Sequence, residues 1–285
     1  MTLGFLSEFT EGELQFAKDI GFQGMEVNAR PGSEFMKTWE EKGEEGIREL
    51  LDKYKIKITA LATHTNHLSP DREEREKVNA HLFTLIDIAS KLNIEVVATF
   101  AGRIPELSVE ENIPEFKKVF TPVVKKAEGK GIKIAIENCP TMDGHPFRGI
   151  NIAYAPKIWE MMFEELPSPS LGLEFDPSHL LWLGVDYIKA LKKFGDKIFH
   201  FHAKDTEILE EKIEEETIFG KGWWRYRIPG FGEVDWEKVI HILQEVSYTG
   251  GFVIEHEDPI FSGERRKEGL RLGYKYLSRY FLQET

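Results

Sequence analysis

The segment Ile132–Asn138 has the sequence IKIAIEN, a short apolar run that ends in a glutamate and an asparagine. Near-continuous apolar strands of this kind are typical of parallel sheets that are covered by helices. Similar runs recur along the chain and alternate with amphipathic segments. The predicted strands are Leu3–Phe5, Gly24–Val27, Ile58–Ala62, Val96–Phe100, Ile132–Ile136, Leu171–Phe175, Ile198–Phe201 and Gly251–Ile254.

Helices are predicted between these strands, near residues 10–20, 44–54, 72–92, 109–129, 154–165, 186–194, 235–246 and 264–282. Eight strands that are each followed by a helix indicate an α/β fold, the (β/α)₈ TIM barrel. A doubly wound open sheet shares the alternation, but it has about six strands and a glycine-rich turn after the first. Neither GxGxxG nor GxxxxGK[ST] occurs in the chain, so no motif supports nucleotide binding. No linker divides the sequence, and we expect residues 1–285 to form a single TIM-barrel domain.

Composition and charge exclude some classes of protein and make others less suitable. At 41% hydrophobic and 12% aromatic residues, the chain can bury a sizeable core, which excludes wholesale disorder. The net charge of −12 opposes nucleic-acid binding, which requires a positive surface, so we expect a small-molecule substrate and no nucleic-acid partner. No apolar run approaches the ~20 residues of a membrane helix, and no secretory signal opens the sequence. Together with the single cysteine, this predicts a cytoplasmic protein without a membrane partner.

The longest stretch that is predicted to be irregular extends from Lys204 to Asp235. A loop of this length inside a compact barrel is usually functional or disordered. Two tryptophans and two arginines lie in its second half, at residues 223–227. These residues favour a lid rather than a flexible insertion. A surface hairpin whose tryptophans cover the barrel rim is the alternative.

Metal-binding residue types follow four successive predicted strands. Glu137 follows the fifth strand, Asp176 the sixth, His202 the seventh and Glu255 the eighth. In a barrel these strand ends converge on one mouth, where the active sites of this fold lie. A divalent cation would offset the repulsion among three buried carboxylates, and a set of three oxygens and one nitrogen suits Mn²⁺, Mg²⁺, Co²⁺ or Zn²⁺. Ion pairs or helix caps at the rim are the alternative.

Several other histidines lie close to predicted strand ends. For His200 and His202 we expect strand alternation to direct one side chain into the barrel and the other towards the helices; His202 is nearer the strand end and is taken as the ligand. His179, three residues after the aspartate, can reach the same mouth as a substrate contact. His64 and His67 form an HxxH pair after the third strand, where zinc binding and loop hydrogen bonding both stay open.

Six short motifs are distributed over nearly the whole chain. They are Gly21–Val27 (GFQGMEV), Ile134–Pro140 (IAIENCP), Phe175–Leu180 (FDPSHL), His200–Asp205 (HFHAKD), Pro229–Trp236 (PGFGEVDW) and Ile254–Asp258 (IEHED). In order and spacing they resemble the sugar phosphate isomerase/epimerase group of xylose isomerase-like TIM barrels. That group also includes ketose 3-epimerases, hydroxypyruvate isomerase, inosose dehydratase and endonuclease IV.

The resemblance implies one divalent metal ion, most commonly Mn²⁺, held by Glu137, Asp176, His202 and Glu255. It also implies that Glu137 and Glu255 act as an acid/base pair on a keto-sugar or 3-keto-glycoside, through a metal-stabilised cis-enediolate. The predicted substrate contacts are His64, His179, Trp182, Lys204 and Arg227, with Arg225 as an alternative to Arg227. For Trp182, stacking on a sugar face and packing in the core stay open.

The predicted function is therefore that of a metal-dependent sugar isomerase or epimerase. A lyase or dehydratase acting on a keto-sugar or keto-inositol is the main alternative, because it uses the same metal and enolate chemistry. Less favoured are an endonuclease IV-like nuclease, which needs three zinc ions and a basic surface, and a non-catalytic barrel. Related barrels often form dimers or tetramers, so a homo-oligomer is one of the partners that the resemblance implies.

Overall fold

The computed structural model describes residues 1–143 and 148–281 of the chain. Eight parallel strands close into a barrel, and neighbouring strands around the barrel follow the order of the chain. The barrel strands are β1 (Thr2–Ser7), β2 (Gly24–Asn28), β3 (Lys57–Thr63), β4 (Val96–Thr99), β5 (Lys133–Glu137), β8 (Leu171–Phe175), β9 (Ile198–Ala203) and β12 (Gly251–Ile254). Each predicted strand coincides with one of these within one or two residues, and the predicted (β/α)₈ barrel is confirmed.

The helices between the strands form the outer layer of the barrel. They are α1 (Glu11–Ile20), α2 (Glu34–Tyr54), α3 (Arg72–Leu92), α4 (Val109–Lys130), α5 (Pro156–Glu165), α6 (Pro177–Trp182), α7 (Tyr187–Phe194), α8 (Glu210–Glu216), α9 (Trp236–Glu245) and α10 (Arg266–Leu277). Within the described ranges, no helix has both the length and the apolar composition that a membrane span requires.

Helix α2 begins ten residues before the predicted start at residue 44. Gly43 lies inside it with φ of 64°, a left-handed conformation that favours glycine, and it kinks the helix. The chain is helical on both sides of this glycine. The glycine interrupts the helical periodicity of the sequence, so only the part after it was predicted as a helix.

Two short pairs of antiparallel strands lie outside the barrel, at its carboxyl-terminal face. One consists of β6 (Met142–Asp143) and β7 (Arg148–Gly149), and the other of β10 (Asp205–Ile208) and β11 (Trp224–Arg227). The second pair and helix α8 occupy much of the stretch that was predicted to be irregular. We call β10, α8 and β11 with the residues that join them the hairpin segment.

The interior of the barrel is filled by different residue types at different depths. Small side chains form one buried cluster between the strands: Ala60, Val96, Ala98 and Ala135. Large apolar residues form the main core between the strands and the helices. Towards the carboxyl ends of the strands, buried charged residues replace the apolar ones, and there the site described next is formed.

Candidate active site

Glu137, Asp176, His202 and Glu255 converge at the carboxyl-terminal mouth of the barrel. One oxygen or nitrogen atom from each of the four residues lies within 4.8 Å of those of the others. The Nδ1 atom of His202 is 3.0 Å from Oε2 of Glu255 and 3.3 Å from Oε1 of Glu137. The structure thus brings together the four residues that were predicted as metal ligands, and we call them the candidate metal centre.

The hydrogen bonding of the candidate metal centre is incomplete in a way that suits a cation. Oε1 of Glu137, Oδ2 of Asp176 and Nδ1 of His202 are buried, and none of them forms a hydrogen bond of good geometry with a described residue, although charged groups lie 3.0 to 3.3 Å away. Buried polar atoms are normally satisfied, because leaving one unpaired costs about 1–3 kcal/mol. Three converging carboxylates and an imidazole nitrogen, which offers its lone pair once the ring is neutral, therefore fit one divalent metal ion.

Nearby positive groups keep Glu137 and Glu255 of the centre ionised. Burial and the charge of Glu255 raise the pKa of Glu137, but the imidazoles of His64, His179 and His202 outweigh them and hold this pKa at about 2. Burial likewise opposes ionisation of Glu255, whereas Lys204 and His202 bring its pKa well below the usual range. Both glutamates are therefore charged at neutral pH, as ligands or proton acceptors must be.

A second group of buried charged residues lies deeper in the barrel and was missed by the sequence analysis. Glu26 on β2, Glu174 on β8 and His200 on β9 are fully buried next to His202. Glu26 Oε2 is 2.7 Å from Nε2 of His202, and Glu174 Oε1 is 2.8 Å from Nδ1 of His200. With Nε2 directed at Glu26, the Nδ1 atom of His202 is left to face the candidate metal centre.

The expectation that His200 and His202 point in opposite directions is wrong. Residues two apart on a strand share a face, so both imidazoles point into the barrel. The intervening Phe201 instead stacks on Phe175 and Phe252 on the other face of the sheet. The same rule would have indicated Glu174, which lies two residues before Asp176.

A cavity of about 380 Å³ opens directly above the candidate metal centre. Both glutamates of the predicted acid/base pair line it. Four of the predicted substrate contacts line it as well, namely His64, His179, Trp182 and Lys204. The cavity also contains residues that the sequence analysis did not select: Arg30, Phe100, Trp224, Tyr226 and Glu257.

The predicted substrate residues are tied to the candidate metal centre by short contacts. Nζ of Lys204 is 2.6 Å from Glu255 Oε2 and 3.2 Å from Asp176 Oδ2. The Nε2 atom of His179 is buried without a hydrogen-bond partner, 3.3 Å from the same Asp176 oxygen. His64 lies 3.5 Å from Glu137, and although burial lowers its pKa, Glu137 and Glu174 raise it to about 9.

Arg227 does not line the cavity, contrary to the predicted substrate contact. Its guanidinium binds Glu207 and, through Nε at 3.0 Å, the buried Asp258. Arg225 also binds Glu207, at 2.7 Å, and does not line the cavity either. Because side chains alternate along β11, the residues that face the cavity are Trp224 and Tyr226.

Tyr226 joins the hairpin segment to the site. Its hydroxyl lies 2.8 Å from Nδ1 of His179, and its ring lies under the ammonium of Lys204, 4.4 Å from the ring centroid. The hairpin segment thus forms one wall of the cavity.

The HxxH pair does not converge on one point. His64 lines the cavity, whereas His67 is buried beside it and contacts Asn79 and Thr99 at 2.8 and 2.7 Å. Burial lowers the pKa of His67 to about 4, so this histidine is neutral. A zinc ion shared by the pair has no support in this geometry.

The family profile described as the xylose isomerase-like TIM barrel matches residues 14–280. The chain belongs to this family. Among its curated relatives is the inosose dehydratase of Geobacillus thermodenitrificans, which is 26% identical over 225 residues, covering 76% of this chain and 72% of that protein.

Two solved structures of similar proteins show the same xylose isomerase-like fold. The IolI protein with a bound zinc atom superposes with a TM-score of 0.77 and 20% identity, covering 99% of this chain and 100% of that one. D-psicose 3-epimerase, crystallised in the presence of D-fructose, gives a TM-score of 0.73 and 16% identity, covering 98% and 99%. The proteins that this chain resembles therefore include a dehydratase in sequence and an epimerase in fold.

Proposed function

We propose that this protein is a metal-dependent sugar isomerase or epimerase that acts on a keto-sugar or a 3-keto-glycoside. The observation that carries the proposal is the convergence of Glu137, Asp176, His202 and Glu255, with unpartnered buried atoms, below a cavity of about 380 Å³. We further propose Mn²⁺ as the resident ion, because carboxylate-rich donor sets suit this metal, with Mg²⁺, Co²⁺ and Zn²⁺ as alternatives.

The two glutamates can exchange protons with opposite sides of a bound ketone. A divalent cation in the centre supplies positive charge that acidifies the C–H bond next to the carbonyl group. Glu137 ends β5 and Glu255 follows β12, and the two strands β8 and β9 lie between them, so their carboxylates approach the cavity from different sides. One ionised glutamate removes the proton, and the other returns one after it has itself been protonated by solvent or by a neighbouring donor such as Lys204, which inverts the carbon centre or moves the carbonyl group.

Other cavity residues can bind and orient the sugar. The ammonium of Lys204 and the imidazole of His179 are buried donors near the glutamates, where they can bind the oxygens of the substrate. Trp182 and Trp224 lie parallel, with ring centroids 4.5 Å apart and an interplanar angle of 5°, and offer an aromatic edge to an apolar sugar face.

Dehydration is the second candidate activity. It is favoured by the likeness to inosose dehydratase and by the proton donors on the cavity wall. A departing hydroxyl needs a proton, and the Tyr226–His179 pair or Lys204 can donate one. In this case one glutamate still removes the proton next to the carbonyl group, but water leaves and no proton returns to carbon.

Proton exchange in D₂O tests both candidates. We expect the Mn²⁺-loaded protein to introduce deuterium next to the carbonyl group of at least one ketohexose, 3-keto-glucoside or keto-inositol, as seen by NMR. Products that retain the mass of the substrate apart from the deuterium indicate isomerisation or epimerisation, whereas loss of water indicates dehydration.

Matched variants connect this exchange to the glutamates. Glu137→Gln and Glu255→Gln should each slow it by about 10²–10⁴-fold, because each removes a proton acceptor. Glu165→Gln, which removes a half-exposed carboxylate at the end of α5 and the opposite face of the barrel, should leave the rate unchanged. Absence of exchange with all three substrate classes in protein that holds its metal would contradict the proposal.

A further inference from the structure

A second, apolar cavity adjoins the catalytic cavity under the hairpin segment. Its volume is about 530 Å³, compared with about 380 Å³ for the catalytic cavity. Most of its wall is apolar and includes Tyr154, Leu183, Ile208, Ile218 and Trp223. A free monosaccharide, with hydroxyl groups all around its ring, has few hydrogen-bonding partners in such a cavity.

Trp182 and Pro140 line both cavities, so the two spaces share a wall. The indole of Trp182 stacks on Trp224, which faces the catalytic cavity. It also meets the edge of Trp223, which faces the apolar cavity, with ring centroids 6.3 Å apart and an interplanar angle of 74°. A ligand that passes this aromatic wall would hold a polar part in one cavity and an aromatic part in the other.

Two nitrogen donors on the wall of the apolar cavity have no acceptor in the part of the chain that the structure describes. Nε1 of Trp182, in a side chain that is only 7% exposed, and Nε of Arg103 are both buried without a hydrogen-bond partner. Within the described ranges, Arg103 forms no ion pair with a carboxylate. A buried donor without an acceptor is unfavourable, and it is best satisfied by a ligand that carries an acceptor or a negative charge.

We propose that the apolar cavity binds the aromatic aglycone of a keto-glycoside, with an acidic group of the aglycone directed at Arg103. The proposal rests on the function proposed above, because the sugar ring of the same substrate would occupy the catalytic cavity. The apolar wall selects an aromatic group, the unpaired guanidinium selects an acidic substituent, and the shared wall at Trp182 sets the distance between aglycone and sugar.

The binding test uses the aglycone by itself and does not depend on turnover. 4-Hydroxybenzoate is titrated calorimetrically into the metal-loaded protein, and the comparison of two arginine variants separates binding at Arg103 from binding at the metal ion. We expect saturable binding to wild type that weakens at least tenfold in Arg103→Gln. Arg48→Gln on helix α2 removes the same charge at a distant, half-exposed position, and it should bind like wild type. No binding, or equal binding to the two variants, would overturn the proposal.

Turnover of a matched pair of substrates separates the two proposals. We expect the 4-carboxyphenyl 3-keto-glucoside to show at least a tenfold lower KM than the methyl 3-keto-glucoside, and Arg103→Gln to abolish the difference. Equal KM values with measurable turnover would refute the aglycone site while the proposed function stands. Arg103-dependent binding of 4-hydroxybenzoate without exchange on any ketone would support the site and refute the proposed function.

Discussion

His202 stands between two groups of carboxylates, and its two ring nitrogens face different ones. Nε2 is 2.7 Å from Glu26, whereas Nδ1 faces Glu137 and Glu255 at 3.3 and 3.0 Å. A carboxylate on the outer nitrogen of a metal-binding histidine fixes its tautomer and ring orientation and increases its basicity. We therefore expect Glu26 to support metal binding by His202, although it lies outside the cavity.

The first prediction concerns Glu26. Glu26→Gln should weaken metal binding by about 10–100-fold, because the amide holds the imidazole less firmly and no longer increases its basicity. The measurement is a competition titration with a metal chelator of known affinity. Glu165→Gln serves as the control, and unchanged affinity in Glu26→Gln would show that the carboxylate does not act through His202.

The second prediction concerns His67 and pH. Because burial lowers its pKa to about 4 in the folded protein, the unfolded chain binds the proton first as the pH falls below about 6.5. The neutral histidine thus contributes stability that is complete above pH 6.5 and is lost as the pH falls towards 4. Between pH 7.5 and pH 5, the free energy of unfolding of wild type should fall by about 2 kcal/mol more than that of His67→Gln.

Urea unfolding of both proteins at the two pH values checks this prediction. A parallel decline of the two proteins would mean that His67 does not titrate abnormally.

The sequence predicts the strand-end residues of the site but not the buried residues inside the strands. The strand ends identify Glu137, Asp176, His202 and Glu255, because parallel strands of a barrel must deliver their ends to one mouth. The buried Glu26 has no such marker: it lies inside an apolar strand, and only the closed barrel brings it to His202.

At the scale of elements, the hairpin segment decides which side chains reach the cavity. In the register of β10 and β11, Asp205 lies opposite Arg227 and Glu207 lies opposite Arg225, on the face that points away from the site. Arg227, which was predicted to contact the substrate, therefore forms ion pairs instead. Tyr226, which lies between the two arginines, faces the cavity. Only the register of the two strands reveals this exchange.

The third prediction compares the two arginines. Arg227→Met should lower the free energy of unfolding by about 3 kcal/mol, because the buried Asp258 keeps its backbone donors but loses its cationic partner. Arg225→Met, at a position that is 36% exposed, should cost less than about 1 kcal/mol. Chemical unfolding of both variants measures the difference, and equal losses would contradict the assigned roles.

The regular elements were predictable because their patterns are local. The eight strands are short apolar runs, and the barrel follows from their number and alternation with helices. Helix α6 and helix α8 were not predicted, since six or seven residues are too few to show a helical period. The hairpin depends on pairing between residues about twenty positions apart, which no local pattern reveals.

At the scale of the whole molecule, barrel closure assembles the site from two sides. The strands that carry the candidate metal centre, β5, β8, β9 and β12, are consecutive neighbours around the barrel. The opposite strands β2 and β3 contribute Glu26 and, just after β3, His64. A metal ion held by the four ligands would link β5, β8, β9 and β12, so its loss should lower the stability of the fold.

The metal content of the untagged, extensively dialysed protein tests the central claim most directly. It is measured by elemental analysis for wild type and for Glu137→Gln, Asp176→Asn, His202→Gln and Glu255→Gln, with Glu165→Gln as the control. We expect one divalent ion per chain in wild type and control, and loss or sharp weakening of binding in the other four variants. Wild-type protein that holds no metal, even after incubation with Mn²⁺, Co²⁺ and Zn²⁺, would contradict the account.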